Sequence, residues 1–334
     1  MRALQLNGYG DIKNNVILGD IPKPSPRENE VLIEVCAASI NPVDYKIIRG
    51  GLKQFLKFKL PVGIGYDLAG VVVDKGSAVT NFKVGDEVFS VLPSMQSGSI
   101  AEFIAVDCNI VAKKPSSLNF VEATAVAMVG LTIIQGFKRA GLKSGDKILI
   151  HAGSGGVGSH AIQYAKELGA YVFTTTSAKN VDRVKALGAD RVIDYTQEDY
   201  LEVARNVDMV FDTLGKQYPV DAFKILRKGG VVLSIVGPNI DDFTAKQLGM
   251  NSVVRLLLTF MRRKVVRAAK KAESVFRSTV MIPSGDDLDE LRGLVESGKL
   301  NPVVDKIYSL EDAIDALVYL NTGRARGKVV IQVK

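Results

Sequence analysis

Ile148-Leu149-Ile150-His151-Ala152-Gly153-Ser154-Gly155-Gly156-Val157-Gly158 sets three glycines, Gly153, Gly155 and Gly158, in a GxGxxG spacing behind an apolar run. The spacing alone is a weak signal. Its context adds the weight: residues 147–152 read as an apolar strand, and residues 158–168 read as a helix that ends at Gly169. A strand, a glycine turn and a helix N-terminus together make a cradle for a pyrophosphate. The glycines let backbone N–H groups come close, and the helix dipole sets partial positive charge against the anion. Gly153, Ser154, Gly155, Gly156, Val157 and Gly158 are therefore the candidate phosphate-binding residues. A tight turn without a ligand is the bland alternative, and the strand-to-helix context weighs against it.

Downstream the same texture repeats. Residues 171–176 read as a strand, 180–187 as a helix, and 191–194, 209–212 and 231–236 as further short apolar runs. Apolar strands alternating with helices indicate a doubly wound parallel sheet covered on both faces, an α/β Rossmann arrangement. The second strand bears on the cofactor. NAD sites carry an acid about 20 residues after the loop, bonded to the ribose 2′-hydroxyl. Here the chain reads Phe173-Thr174-Thr175-Thr176-Ser177-Ala178-Lys179, without an acid. Thr175, Ser177 and Lys179 are the candidates at this end. A serine hydroxyl donates to a 2′-phosphate and a lysine pairs with it, so NADPH is expected over NADH.

Upstream, residues up to about 120 read as many short strands with frequent glycine and proline turns, as in a β-barrel. Strands are expected at 31–37, 68–73 and 87–92. Residues 121–139 read as alanine-rich helices broken at Gly130. Near the end, 286–297 reads as an amphipathic helix, Ser309 with Asp312 as a capping pair before another, and 327–333 as a final strand. Two domains are expected: residues 1–120 with 297–334, and 121–296.

Composition narrows the class. With 47% hydrophobic and 24% charged residues, the chain suits a globular protein and not a disordered one. Two cysteines, Cys36 and Cys108, and two histidines, His151 and His160, with no CxxC pair, leave little for a zinc site, so no metal is expected. The opening MRALQLNGYGDI lacks the basic, apolar, cleavage-site order of a signal peptide, and the longest apolar runs look short of the ~20 residues that span a bilayer. The expected location is cytoplasmic. The net charge of +7 equals the charge of residues 255–271, which hold Arg255, Arg262, Arg263, Lys264, Arg267, Lys270 and Lys271 and no acid. The rest is near neutral, so no specific nucleic acid is expected as a partner. Within that segment apolar and basic residues alternate at helical spacing. The favoured reading is a helix packed on its domain with a solvated basic face. Weak contact with an anionic membrane surface, cover over a substrate cleft and contact with a partner are the alternatives.

Several segments resemble the medium-chain dehydrogenase/reductase superfamily: Ala37-Ala38-Ser39-Ile40-Asn41-Pro42-Val43-Asp44-Tyr45-Lys46, Gly65-Tyr66-Asp67-Leu68-Ala69-Gly70-Val71, Val84-Gly85-Asp86-Glu87-Val88, Gly130-Leu131-Thr132, the glycine loop, and Gly327-Lys328-Val329-Val330. Their joint order covers essentially the whole chain and is similar to the zinc-free quinone oxidoreductase branch, which includes enone and alkenal reductases. The resemblance implies a GroES-like β-barrel domain beside the Rossmann domain. It sets the zinc ligands of alcohol dehydrogenases near Asn41, Tyr66 and Val129, none of them a good ligand. It also implies that Thr132 contacts the nicotinamide ribose, that Tyr195 lies by the adenosine phosphate, and that homodimers are common. For the basic segment it implies the cleft, with Leu256, Phe260 and Met261 bordering an apolar substrate pocket.

Without a metal, the plain chemistry is hydride delivery from NADPH to a quinone or an α,β-unsaturated carbonyl, whose oxygen then needs donors. By resemblance Asn41 lies near the nicotinamide and donates to the substrate oxygen. Asp44 orients neighbours, and Tyr45 and Tyr66 carry phenols that can donate. Some relatives place a donor tyrosine after Gly50; here that loop runs Gly51-Leu52-Lys53-Gln54-Phe55. Quinone reduction leads, with C=C reduction of an enal or enone as the alternative. A non-enzymatic NADPH- or RNA-binding protein is the rival of another class.

Overall fold

The structure, a computed structural model, describes residues 1–53, 58–96 and 98–334. Gln54 and Phe55, in the loop where a donor tyrosine was sought, lie outside the described residues. The chain divides into two compact units, residues 1–131 with 282–334, and residues 132–281.

The contiguous unit holds a six-stranded sheet whose neighbours all run parallel. In spatial order the strands are Arg191–Asp194, Tyr171–Thr176, Lys147–Ile150, Val207–Asp212, Leu226–Ser234 and Val275–Ser278. Counted along the chain this is 3-2-1-4-5-6, the doubly wound order that reverses direction beside the first strand. Ile148, Leu149 and Ile150 are fully buried, which is why that strand carries no polar alternation. It ends two residues short of the expected Ala152, because Ala152 turns to a φ of +53°. The helix Gly156–Glu167 begins two residues earlier than expected, inside the glycine run.

The other unit is built on an antiparallel sheet. Its long strand Glu30–Ile40 pairs with Asp67–Lys75, with Phe103–Asp107 and with Lys328–Gln332. Glu87–Val91 extends it beyond Asp67–Lys75, and Val304–Ser309 runs parallel to Lys328–Gln332. The final strand thus joins the N-terminal sheet. Helix Gly285–Glu296 also belongs here, ahead of the expected return at 297. The reason is close packing: a Cβ on Gly285 would lie 2.8 Å from the Asn109 carbonyl oxygen, so the helix start sits against the N-terminal domain's own backbone.

The expected break at Gly130 does not occur. Phe120–Ala140 is one helix of 21 residues. Gly130 serves packing, since a Cβ there would stand 2.4 Å from a Leu291 methyl. A larger residue would push helix Gly285–Glu296 away. This helix is also long and apolar enough to cross a membrane by length and composition, with 72% of its most apolar stretch buried inside the protein. Reading uninterrupted apolar runs overlooked it, because small and polar residues are spaced along its length.

Candidate functional site

In the parallel unit, the glycine loop leaves the first strand at the point where strand order reverses. The three glycines have different causes. A Cβ on Gly153 would meet Thr174 Oγ1 at 2.1 Å, and one on Gly158 would meet the Ala152 carbonyl oxygen at 2.3 Å. Both are required by the loop's own packing. At Gly155 a Cβ would approach only the Ala152 carbonyl oxygen, at 3.3 Å. Packing at Gly155 is therefore less strict than at Gly153 and Gly158, although a Cβ there would still press on that backbone oxygen. Gly155 is also the N-cap of the helix and offers no side-chain cap, so the first N–H groups of Gly156–Glu167 face outward without a capping oxygen. This is the arrangement that receives an anion.

The second strand braces the loop. Ala152 N donates to Thr175 Oγ1 at 3.1 Å, and Gly153 N donates to the Thr175 carbonyl at 2.9 Å. Thr175 is buried and acts through the loop's shape rather than as an exposed contact. Thr176 Oγ1 donates to Ser154 Oγ at 3.0 Å, and Asn180 Nδ2 donates to Ser177 Oγ at 3.1 Å. Thr176 and Asn180, both buried, were not singled out from the sequence; Thr176 closes the strand and Asn180 stands in the single helical turn that follows it. Lys179 is exposed, and no carboxylate pairs with it among the described residues. Tyr195 is 64% exposed, and its N–H donates to the Thr176 carbonyl at 3.1 Å, which sets the residue beside the same strand end. Thr132 lies in helix Phe120–Ala140 and is half-buried. These residues fit NADPH: an uncapped helix start with a glycine for the pyrophosphate, and a serine and lysine without an acid for a 2′-phosphate.

His151, the last residue before the turn, is fully buried. Both ring nitrogens lack a hydrogen-bond partner among the described residues. Tyr200 and Tyr218 meet the ring edge-on, with centroids 4.9 and 5.1 Å away. Burial pulls its pKa down to about 4, and the nearby Asp212 only partly offsets this. His160 sits on the helix and its Nδ1 donates to the Gly156 carbonyl at 2.7 Å.

In the antiparallel unit a second cluster forms where three strand ends meet. Asp67 opens strand Asp67–Lys75 opposite Ser39, and Lys328 opens the final strand beside Ile40. Asp67 Oδ2 accepts from Ser39 Oγ at 2.5 Å, from Asn41 Nδ2 at 2.7 Å and from Lys328 Nζ at 3.0 Å. Its Oδ1 accepts from Met128 N at 2.8 Å. Lys328 Nζ also donates to Asn41 Oδ1. Asn41 is the N-cap of helix Pro42–Ile48, yet its amide turns away from the helix toward Asp67 and Lys328. Asp44 satisfies the helix start instead, accepting from Asn41 N at 2.6 Å. Burial pushes Asp44 up to about 7 against the Asn41 N–H; the neighbouring Asp67 raises it further and Lys328 opposes.

Of the two phenols, Tyr66 is buried and its hydroxyl donates to the Ser94 carbonyl at 3.1 Å. Tyr45 is half-buried on helix Pro42–Ile48, and burial raises its pKa. The sequence reading missed Asp67 and Lys328 as site residues, although both stand in quoted motifs. Their signal is a charge at the mouth of an otherwise apolar strand. The cluster does not fit a zinc ion. Among the described residues no three His, Cys, Asp or Glu side chains gather to hold a metal, and an ammonium already compensates Asp67.

Comparison with known proteins agrees with this architecture. Residues 27–116 match the alcohol dehydrogenase GroES-like domain, and residues 187–331 match a family described as zinc-binding dehydrogenase. A chloroplast envelope quinone oxidoreductase homolog of Arabidopsis thaliana is 35% identical, over 99% of this chain and 98% of that protein. The NADPH-dependent alkenal/one oxidoreductase of the same plant is 34% identical, over 99% of this chain and 79% of that protein. The quinone oxidoreductase structure from Coxiella burnetii superposes with a TM-score of 0.87 at 34% identity, covering 100% of this chain and 99% of that one. With relatives this similar along its whole length, the chain belongs to the medium-chain dehydrogenase/reductase superfamily, in the branch of the quinone oxidoreductases and enone reductases.

Proposed function

We propose that the chain is an NADPH-dependent, metal-independent reductase of quinones or α,β-unsaturated carbonyls. The observation that carries the cofactor choice is the acid-free end of the second strand, with unpaired Lys179 close in sequence to the loop-bracing Thr176. The substrate class follows from the relatives, one a quinone oxidoreductase homolog and one an alkenal/one oxidoreductase. Bound NADPH supplies the hydride. The protein's part is to hold it and to meet the charge that develops on the acceptor oxygen.

Asn41 is the residue best arranged for the second task. A side-chain amide has two hydrogens. One is held by Asp67, and Lys328 fixes the amide oxygen, so the plane of the group is set and the other hydrogen is free to meet an oxygen. Tyr45, half-buried on helix Pro42–Ile48, carries a phenol that stays protonated at neutral pH, and burial raises its pKa further, which makes it a weaker acid than a free phenol. Free Cys36 and Cys108 support the further proposal of a reducing compartment, the cytoplasm.

The test is NADPH oxidation followed by absorbance against quinones, enals, enones and aldehydes, with NADH and a chelator as controls. Turnover that prefers NADPH and survives chelation is expected. Tight NADPH binding without turnover on any acceptor would return the weight to a binding protein.

A further inference from the structure

Helices Ser252–Met261 and Arg263–Lys271 follow one another with a break at Arg262. The second behaves as the sequence suggests, burying Val265 and Ala269 and exposing its basic residues. The first does not. It buries Leu258, while Val253, Leu256, Leu257 and Phe260 are 76%, 73%, 59% and 64% exposed. Those four stand at i, i+3, i+4 and i+7, so they form one outward apolar stripe. Isolated exposed apolar residues need no explanation, but a contiguous stripe of four on one helix does.

The stripe is held out on a fixed support. Arg255 pairs with Asp242 at 2.7 Å, and Arg262 donates to the Ile240 carbonyl at 2.9 Å, which ties both ends of the helix to its own unit. The Arg263 guanidinium lies 4.1 Å from the centre of the Phe260 ring, placing a cation directly at the apolar edge. From 243 to 272 the sequence has no acid. Asp242, just before it, is engaged by Arg255 and Lys246. Lys264, Arg267, Lys270 and Lys271 have no carboxylate partner among the described residues, and all four are exposed.

We propose that this face docks on an anionic phospholipid surface. The stripe would enter the boundary between headgroups and acyl chains, and the uncompensated lysines and arginines would meet lipid phosphates. Charge selects this occupant over a second copy of the chain, because two copies would bring their own acid-free cationic rims together. The surface lies outside the residues assigned to NADPH and to Asn41, so the inference stands or falls separately from the proposed reaction.

The experiment is co-sedimentation of the full chain with vesicles of phosphatidylcholine alone and of phosphatidylcholine with phosphatidylglycerol, at low and raised salt. Binding to the anionic vesicles should exceed that to neutral ones by roughly ten-fold or more, and fall steeply with salt. Leu256→Glu with Phe260→Glu should abolish it, and Lys270→Gln with Lys271→Gln should weaken it, both with a melting temperature near the parent's because the replaced side chains are exposed. Failure to bind anionic vesicles, equal binding to both compositions, or retention of binding by both variants overturns the proposal. So does a dimer, seen by light scattering, that Leu256→Glu dissolves while the vesicles stay unbound, since the stripe is then a contact between copies.

Discussion

Lys328 Nζ lies 3.0 Å from Asp67 Oδ2, and the two side chains are 4% and 0% exposed. A pair removed from water in this way contributes little net stability while intact, yet losing one partner strands the other charge in a medium that cannot solvate it. Here the stranded charge would also release Asn41, whose amide both partners hold.

Lys328→Met should therefore destabilise the protein by about 3–5 kcal/mol. Asp67→Asn combined with Lys328→Met should recover most of that loss, because no isolated charge remains. Turnover should stay depressed in the double variant, since Asn41 has lost the donor to its oxygen. Denaturant unfolding and kcat measured side by side test this; recovery of both together would show that the pair only stabilises.

Gly155→Val should keep a melting temperature closer to the parent's than Gly153→Ala does, because a Cβ at Gly155 meets a single atom at 3.3 Å while one at Gly153 meets Thr174 Oγ1 at 2.1 Å. Its NADPH affinity should drop on the order of 100-fold, equivalent to about 3 kcal/mol. Gly153→Ala should behave oppositely in the melt, losing about 1–3 kcal/mol by overpacking against Thr174. Thermal melts with NADPH titrations separate the two; unchanged affinity in Gly155→Val removes the loop from the binding site.

Lys179→Ala should weaken NADPH by roughly 10- to 150-fold, from the about 1.5–3 kcal/mol typical of a bond to a charged group, and leave NADH almost unaffected. Titration with both nucleotides decides it. Equal effects would mean that the lysine never meets the 2′-phosphate.

Two buried groups give opposing pH dependences. Asp44 is raised from 3.8 to about 7, so the folded state keeps a proton that the unfolded chain has lost. Its contribution is present below pH 3.8 and fades as pH rises to 7. His151 is lowered from 6.5 to about 4, so the unfolded chain takes up the proton first. Its contribution is present above pH 6.5 and fades as pH falls to 4. The two slopes largely cancel in the parent. His151→Phe should gain stability relative to the parent toward pH 4, and Asp44→Asn should gain it toward pH 7. Melting temperatures across that range test both, and an identical shift at every pH in either variant would falsify the assignment for that group.

The nucleotide-binding half was readable because its signals are local. Strand, glycine turn and helix follow one another within twenty-one residues, from Lys147 to Glu167, and the bounds missed by two residues only where Ala152 takes up a left-handed turn. Gly130 was misread because its reason, Leu291, lies on a helix formed far along the chain. The same distance hid the second cluster, in which Lys328 meets Asp67 across 261 positions. In helix Ser252–Met261 the period was right, but a period cannot say which face turns inward. Its apolar stripe points out.

That separation also sets an order of events during synthesis. Asn41 leaves the ribosome 287 positions ahead of the lysine that fixes its amide. At about 5–20 residues per second this is a wait of roughly 15–60 s. The parallel unit, contiguous from 132 to 281, is translated in full during that interval. A nascent chain can therefore own a finished nucleotide fold while Asp67 is still an uncompensated charge. The last-made strand is the one that certifies the first-made site, and a chain stalled before Lys328 would carry a fault that proteolysis can sense.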